Sequence, residues 1–186
     1  MTFVSDGICT ERLLLRAVRP DDAEPIFRLF ADWEVVRWLS SPPWPYTLDD
    51  ARTFVDAQVS QDPGKRTFLV ITVDGAPIGG IGVRAGNATE APARLPVLGY
   101  WLGQPHWGRG YMTEAARGFI EHIFASTAVD TIYSGAFAGN WASLRVQEKL
   151  GFERTGEMML YCRPRGEKLA HVNTRLARAR FLARSP

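Results

Sequence analysis

Two cysteines, Cys9 and Cys162, are all that 186 residues contain. That is too few for a disulfide framework or a cysteine metal site, and a reducing, cytoplasmic setting suits them. Histidine is scarce too, with three residues, and neither His-Glu-x-x-His nor Cys-x-x-Cys occurs. No metal centre is therefore expected. Apolar runs are short, and none approaches the roughly 20 residues that span a bilayer. The N-terminal MTFVSDGICTERLLLR meets acids early and lacks the apolar stretch of a secretory signal. Neither sign of charge dominates: the net charge is +2, with 23% charged and 46% hydrophobic residues. These values exclude a disordered or fibrous chain. The length suits one domain over residues 1–186 with a sizeable core.

The small net charge hides an asymmetry. Residues 160–186 carry seven Arg or Lys against the single acid Glu167, whereas residues 1–62 carry eleven acids against six arginines. A basic tail can bind nucleic acid or anionic ligands, but no interleaved aromatic platform accompanies this one. The plainer expectation is a solvated strand face paired with the acidic N-terminal half.

Hydrophobic spacing predicts a strand in ERLLLRAV (11–18), then a helix whose start is marked by Pro20, Asp21, Asp22 and Glu24. A second short helix runs through Val35, Val36 and Leu39. SSPPWPY (40–46) is irregular because its prolines fix φ and remove donors. Thr47 opens a capped helix with Ala51, Phe54, Val55 and Ala57 on its apolar side. Strands follow at 67–73 and 76–83 around an Asp74-Gly75 turn, then a loop over 84–94 and a strand at 95–103. A helix at 110–125, a strand at 131–137, a helix at 141–150 stopped by Gly151, and strands at 152–162 and 169–182 complete the chain. The fold class expected is α/β (α+β), with a mixed, mostly antiparallel sheet of about seven strands flanked by helices.

The chemistry concentrates in LGYWLGQPHWGRGYMTEA (98–115), where a strand leads through Gly108-Arg109-Gly110 directly into a helix. The first N–H groups of that helix have no intrahelical acceptor, its dipole is positive there, and Thr113 adds a hydroxyl. Such a turn suits a phosphate or pyrophosphate. A Walker loop would need Gly-Lys-Ser/Thr where Gly110-Tyr111-Met112 stands, and a Rossmann loop would need glycine at Thr113. A tight structural turn remains open on these residues alone. The second segment is NWASLRVQEKLGFERTG (140–156), with Asn140 after a strand and Ser143 one turn into a helix.

Together these segments resemble the GNAT superfamily of N-acetyltransferases, in particular its ribosomal-protein N-acetyltransferase branch of RimJ/RimL type. TERLLLRAVRPDDAEPIFRLF, Gly-Tyr-Trp-Leu, Trp-Gly-Arg-Gly-Tyr with Thr-Glu-Ala, and Asn-x-x-Ser before Glu-Lys-Leu-Gly-Phe stand in that family's order over about residues 10–180. The resemblance implies acetyl-CoA as acetyl donor and a primary amine as acceptor, with no metal. Trp107, Gly108, Arg109, Gly110, Tyr111, Met112 and Thr113 would hold the pyrophosphate. The strand at Tyr100, Trp101 and Leu102 would splay from 131–137 and pair with the pantetheine arm. A backbone N–H near Tyr100 or Trp101 would face the thioester oxygen. Asn140 would bond the pantetheine or a water near it, Lys149 would approach the phosphates, and Ser143 would relay a proton to the departing thiolate, with a plain cap of the 141–150 helix as the alternative for Ser143.

The general base stays open. Many family members carry a glutamate where this chain has Val97. Asp32 and Glu34 are candidates acting through water, and His106 is a candidate acceptor contact. Glu114 reads as a helix-dipole partner with Arg117, while His122 and His171 read as structural. Trp33, Trp38, Trp44 and Tyr46 are either core or an acceptor pocket. A non-catalytic acyl-CoA-binding module is the alternative that Val97 favours. The exposed final hairpin makes a homodimer conceivable. Neither a membrane nor a nucleic acid is an expected partner.

Overall fold

The computed structural model describes residues 7–60, 68–86 and 95–184. Two short strands, β1 (Ile8–Cys9) and β2 (Leu14–Arg16), lead into helices α1 (Ala23–Phe30), α2 (Trp33–Val36) and α3 (Leu48–Val59). Strands β3 (Phe68–Val73), β4 (Ala76–Ala85) and β5 (Pro96–Leu102) precede helix α4 (Tyr111–Ser126). Strand β6 (Thr131–Phe137), helix α5 (Trp141–Leu150), strands β7 (Glu153–Cys162) and β8 (Glu167–Ala177), and the short helix α6 (Arg178–Leu182) complete it. All eight strands form one sheet in the order β1-β2-β3-β4-β5-β6-β8-β7. It is antiparallel except between β5 and β6. This is the mixed, mostly antiparallel α/β architecture expected, with two-residue β1 as an added edge.

Local chemistry sets the boundaries. Thr47 and Asp50 form a reciprocal capping box at the start of α3, with Asp50 N–H donating to Thr47 Oγ1 at 3.2 Å and Thr47 N–H to Asp50 Oδ2 at 2.9 Å. Asp74 and Gly75 both take positive φ, 49° and 80°, the combination that a two-residue hairpin between right-twisted strands requires. Arg16 grips Asp22 with two bonds of 2.8 and 2.7 Å, tying β2 to the entry of α1. Each face of the sheet has its own core. Leu98, Leu102, Phe119, Ile120 and Ile123 lie on the α4 side, and Ile26, Phe30, Val55, Val70 and Trp101 on the α1–α3 side.

Two expectations are corrected. Of the loop foreseen over 84–94, Arg84 and Ala85 extend β4, and residues 87–94 lie outside the described residues. The last strand ends at Ala177, and 178–182 is helical. The reason is Arg178, which turns back onto the C-terminal end of α4. Its guanidinium donates to the carbonyls of Phe124, Thr127 (2.7 Å) and Val129 (2.6 Å). Arg180 likewise donates to Gly151 O at 2.8 Å, and Arg184 to Glu148 O at 3.1 Å, both at the end of α5. Helix C-termini present unpaired carbonyls and partial negative charge, so these tail arginines act as caps. Arg178→Ala should cost about 2 kcal/mol, the scale of a hydrogen bond from a charged donor. Urea denaturation reads this as a lower midpoint with unchanged slope, and an unmoved midpoint would refute the capping role.

Candidate active site

The site begins where two strands part. β5 pairs with β4 along its whole length, but with parallel β6 it shares one registered pair among the described residues, Val97 with Tyr133. One residue further on, Ser134 Oγ–H donates to Leu98 O at 3.0 Å. That bond shows which way Leu98 points its backbone groups. Because strand groups alternate sides, those of Tyr100 and Leu102 also face the gap, and those of Gly99 and Trp101 face β4. Trp107 confirms the alternation by donating Nε1–H to Leu102 O at 2.6 Å. A cleft of about 1230 Å³ occupies this gap. Its walls include Tyr100, Trp101, Leu102, Trp107, Gly108, Gly110, Tyr111, Met112, Thr113, Asn140, Ser143 and Lys149. Of the residues that the resemblance assigns to the coenzyme, Arg109 alone is not among the lining.

At one end of the cleft lies the glycine turn. Gly108 and Gly110 take φ of 74° and 81°, and Gly110 is the N-cap of α4. A Cβ would meet nothing within 4 Å at Gly108 and at Gly110 only Arg12 Nη2 at 3.4 Å, so left-handed backbone rather than crowding selects glycine here. The first intrahelical bond of α4 runs from Glu114 N to Gly110 O. The N–H groups of Tyr111, Met112 and Thr113 are therefore left to a ligand or solvent at the positive end of a 16-residue helix. The turn is braced by a residue to which sequence reading gave no role. Arg12 donates Nη1–H to Arg109 O at 3.1 Å, stacks over Tyr111 at 4.7 Å and pairs with Glu114 at 2.7 Å. Thr10 Oγ1–H donates to the same carboxylate at 2.6 Å. Glu114 thus bonds the N-terminal segment instead of Arg117, which packs over Phe181.

On the opposite wall, Asn140 caps α5 by accepting Ser143 N–H on Oδ1 at 3.2 Å. The other end of that amide, a donor, remains for a ligand. The Tyr100 hydroxyl lies 3.1 Å from Ser143 O and 3.0 Å from Ser143 Oγ. Burial pushes the Tyr100 phenol above its ordinary value, with the hydrogen bonds of Ser143 and Gln147 working the other way. It stays a neutral hydroxyl at physiological pH. Two hydroxyls, a helix N-terminus, left-handed glycines and a free strand edge thus border one cleft. This array fits an extended coenzyme whose arm leads to a pyrophosphate.

Residues 12–153 match the model of the acetyltransferase (GNAT) domain. The chain belongs to the GNAT acetyltransferase family. It is 26% identical over 163 residues to the uncharacterized N-acetyltransferase p20 of Bacillus licheniformis, covering 87% of this chain and 90% of that protein. Over 123 residues it is 29% identical to the ribosomal-protein-serine acetyltransferase of Escherichia coli K12, covering 63% and 65% of the two chains. Among solved structures, RimJ of Mycobacterium smegmatis in complex with CoA-disulfide superposes with a TM-score of 0.77 at 21% identity. The match covers 94% of this chain and 88% of that one.

The other half of the cleft in this GNAT enzyme lies on the α1–α3 side. Its floor is bare: Gly82 and Gly99 face each other across β4 and β5, and a Cβ on Gly99 would meet nothing within 4 Å. Trp38, Tyr46, Asp50, Phe54, His171 and Asn173 contribute to its walls. Four expectations change here. Asp32 and Glu34 do not line the cleft: Asp32 caps α2 by accepting Glu34 N–H at 2.8 Å, and Glu34 pairs with Arg37 at 3.2 Å. Trp33 and Trp44 pack on one another at 5.0 Å, so that of these four aromatic residues only Trp38 and Tyr46 line the cleft. His171 lies within β8, bonds Asn173 Oδ1 through Nδ1 at 2.9 Å and lines the cleft. Asp50, the carboxylate of the α3 capping box, has no site role in the sequence reading and is the one carboxylate among the described lining residues. Hydrogen bonds from the Thr47 hydroxyl and N–H hold its carboxyl below the ordinary range. Tyr46 is pushed up to about 12, chiefly by burial and then by the charge of Asp50. His106 lines the cleft as a neutral ring, because burial and then Arg109 lower its basicity.

Glu114 makes the glycine turn sensitive to acid. Burial alone would raise its pKa, but the bonds from Thr10 and Arg12 outweigh burial and set it below the usual carboxylate range. A lowered folded value means the clamp stabilises the protein above the unfolded-state pKa and is lost as pH falls through the folded one. Parent and Glu114→Gln should therefore differ in urea midpoint at neutral pH and converge in acid. A difference that persists in acid would refute the ionic clamp.

Proposed function

We propose that this GNAT acetyltransferase moves the acetyl group of acetyl-CoA to a primary amine on a protein N-terminus or a small molecule. We place this activity in the cytoplasm, where its two free thiols would persist. The observation that carries the reading is the convergence on one cleft of the α4 N-terminus, the free edge of β5 and the Ser143–Tyr100 hydroxyl pair. The relatives' printed activities and the CoA-disulfide complex of the M. smegmatis structure support it.

Acetyl-CoA supplies an acetyl group already activated as a thioester, so the chain has to position, polarise and manage protons. The N–H groups of Tyr111, Met112 and Thr113 hold the pyrophosphate, with Lys149 beside it. The edge of β5 takes the pantetheine arm as an added strand, and Asn140 donates its side-chain amide to that arm. The Tyr100 N–H, facing the gap, receives the thioester oxygen as negative charge builds there, and the Trp101 N–H faces β4 instead. Asp50, the negative group on the α3 wall, draws the acceptor toward the cleft as an ammonium, which sheds its proton to solvent before attack. A C–N bond forms, the C–S bond breaks with its electron pair on sulfur, and Ser143 gives a proton to that sulfur. The surplus proton of the new amide nitrogen leaves to water, and Ser143 is reprotonated from solvent.

A non-catalytic acyl-CoA-binding module would have no use for a hydroxyl pair held 3.0 Å apart in the cleft. Free-thiol release from acetyl-CoA, measured against N-terminal peptides and small amines, separates the two readings. The transferase reading expects release with one acceptor class. Ser143→Ala should then reduce turnover about tenfold or more with nearly unchanged coenzyme affinity, the range of a proton-transfer group. Tight binding of acetyl-CoA without release on any amine would favour the binding module, and equal rates in Ser143→Ala would reduce Ser143 to part of a helix.

A further inference from the structure

Behind Ser143, and unused by the mechanism above, lies a polar pair that an apolar core would not need. Gln147 is 1% exposed and Thr174 is 3% exposed. A buried amide is costly unless its groups are satisfied, and a nearby polar cluster gains nothing from one placed at random. Here every group has a partner, and the partners fix the direction of each bond. Gly135 O accepts only, so the Gln147 end that meets it at 3.2 Å must be the amide nitrogen. The other end, Oε1, then accepts from Thr174 Oγ1–H at 2.7 Å. Thr174 thereby prevents the amide from turning over.

With its orientation locked, Gln147 Nε2 points its second N–H at Ser143 Oγ, 3.4 Å away, one helical turn earlier on α5. Ser143 Oγ thus receives a hydrogen bond from behind and keeps its own proton to donate forward, to Tyr100 Oη at rest or to a group in the cleft. The tie to Gly135 O, on β6, also holds the Ser143 turn of α5 against the strand that borders the gap.

We propose that Gln147 is a positioning residue for the proton taken by the leaving sulfur, acting through Ser143 and locked in orientation by Thr174. This rests on the role given to Ser143 above, and adds two residues that touch neither coenzyme nor acceptor in that mechanism. A donor aimed at a thiolate stabilises it, so the chain Thr174–Gln147–Ser143 lowers the pKa of a coenzyme thiol bound in the cleft.

The test needs no acceptor. Free coenzyme A is bound to the enzyme and its thiol titrated by the ultraviolet absorbance of the thiolate. Thermal unfolding and coenzyme A affinity are followed in parallel. In the parent, the bound thiol should ionise at lower pH than in free solution. Ser143→Ala should raise the bound value by about one unit, a tenfold change in thiolate population. Gln147→Leu should move it in the same direction, Thr174→Val less far, and Thr174→Ser should return it to the parent value. If Gln147→Leu unfolds, the Thr174→Val and Thr174→Ser pair carries the test. A shift in Ser143→Ala with none in Gln147→Leu or Thr174→Val would overturn the positioning role and leave Ser143 standing. No shift in Ser143→Ala would remove Ser143 from the sulfur and this proposal with it. Failure of Thr174→Ser to restore the value would refute the orienting lock.

Discussion

Beyond the Val97–Tyr133 pair and the Ser134 bond to Leu98, β5 and β6 part, and most of the functional architecture follows from that parting. An intact sheet would satisfy the inward backbone groups of Tyr100 and Leu102 with a neighbouring strand. Left open, the groups of Tyr100 and the N–H of Leu102 are available to a ligand at the middle of a sheet whose two faces are otherwise closed by separate cores. The gap is held open from both sides. Trp107 occupies Leu102 O, and α5 fastens to β6 and β8 through Gln147. Because the opening passes between the cores, α4 and α5 border one side of it and α1–α3 the other. The two sides also differ in chemistry, with the N–H groups of α4 and Lys149 of α5 on one and a glycine floor with one carboxylate on the other.

The charge asymmetry of the chain has a structural use. Arg178, Arg180 and Arg184 serve the C-terminal carbonyls of α4 and α5, where partial negative charge collects. The acid at the other end of α4, Glu114, lies where that dipole favours it and is held by Thr10 and Arg12. The N-terminal strand region and the C-terminal tail thus grip opposite ends of the helix whose first turn borders the cleft. No helix among the described residues is long and apolar enough to cross a membrane.

Much of this was legible in the sequence because it depends on neighbours in the chain. The Thr47 capping box, the Asp74-Gly75 turn and the Gly110 start of α4 are all contained within about four residues. The missed features are long-range. Arg12 and Glu114 are 102 residues apart, and no local pattern announces their pairing. Trp33 and Trp44 satisfy one another, whereas Trp38 and Tyr46 reach the cleft, a distinction set by tertiary packing. The helical end of the tail could not be read from period because what turns it is Arg178 finding carbonyls on another helix. Gln147 carried no motif signal at all, since a buried glutamine differs from a surface one only in what surrounds it.

The central claim is that the left-handed glycine turn at the start of α4 presents its backbone N–H groups to the coenzyme's pyrophosphate. Calorimetric titration of acetyl-CoA into the parent and into Gly110→Val tests it most directly, with thermal unfolding as the check on folding. Valine is strained at φ 81° and disturbs the turn without entering a packed core. The account predicts a folded variant whose affinity for acetyl-CoA falls at least tenfold. Equal affinity in the two folded proteins would mean that the coenzyme's phosphates are held elsewhere, and would contradict the account.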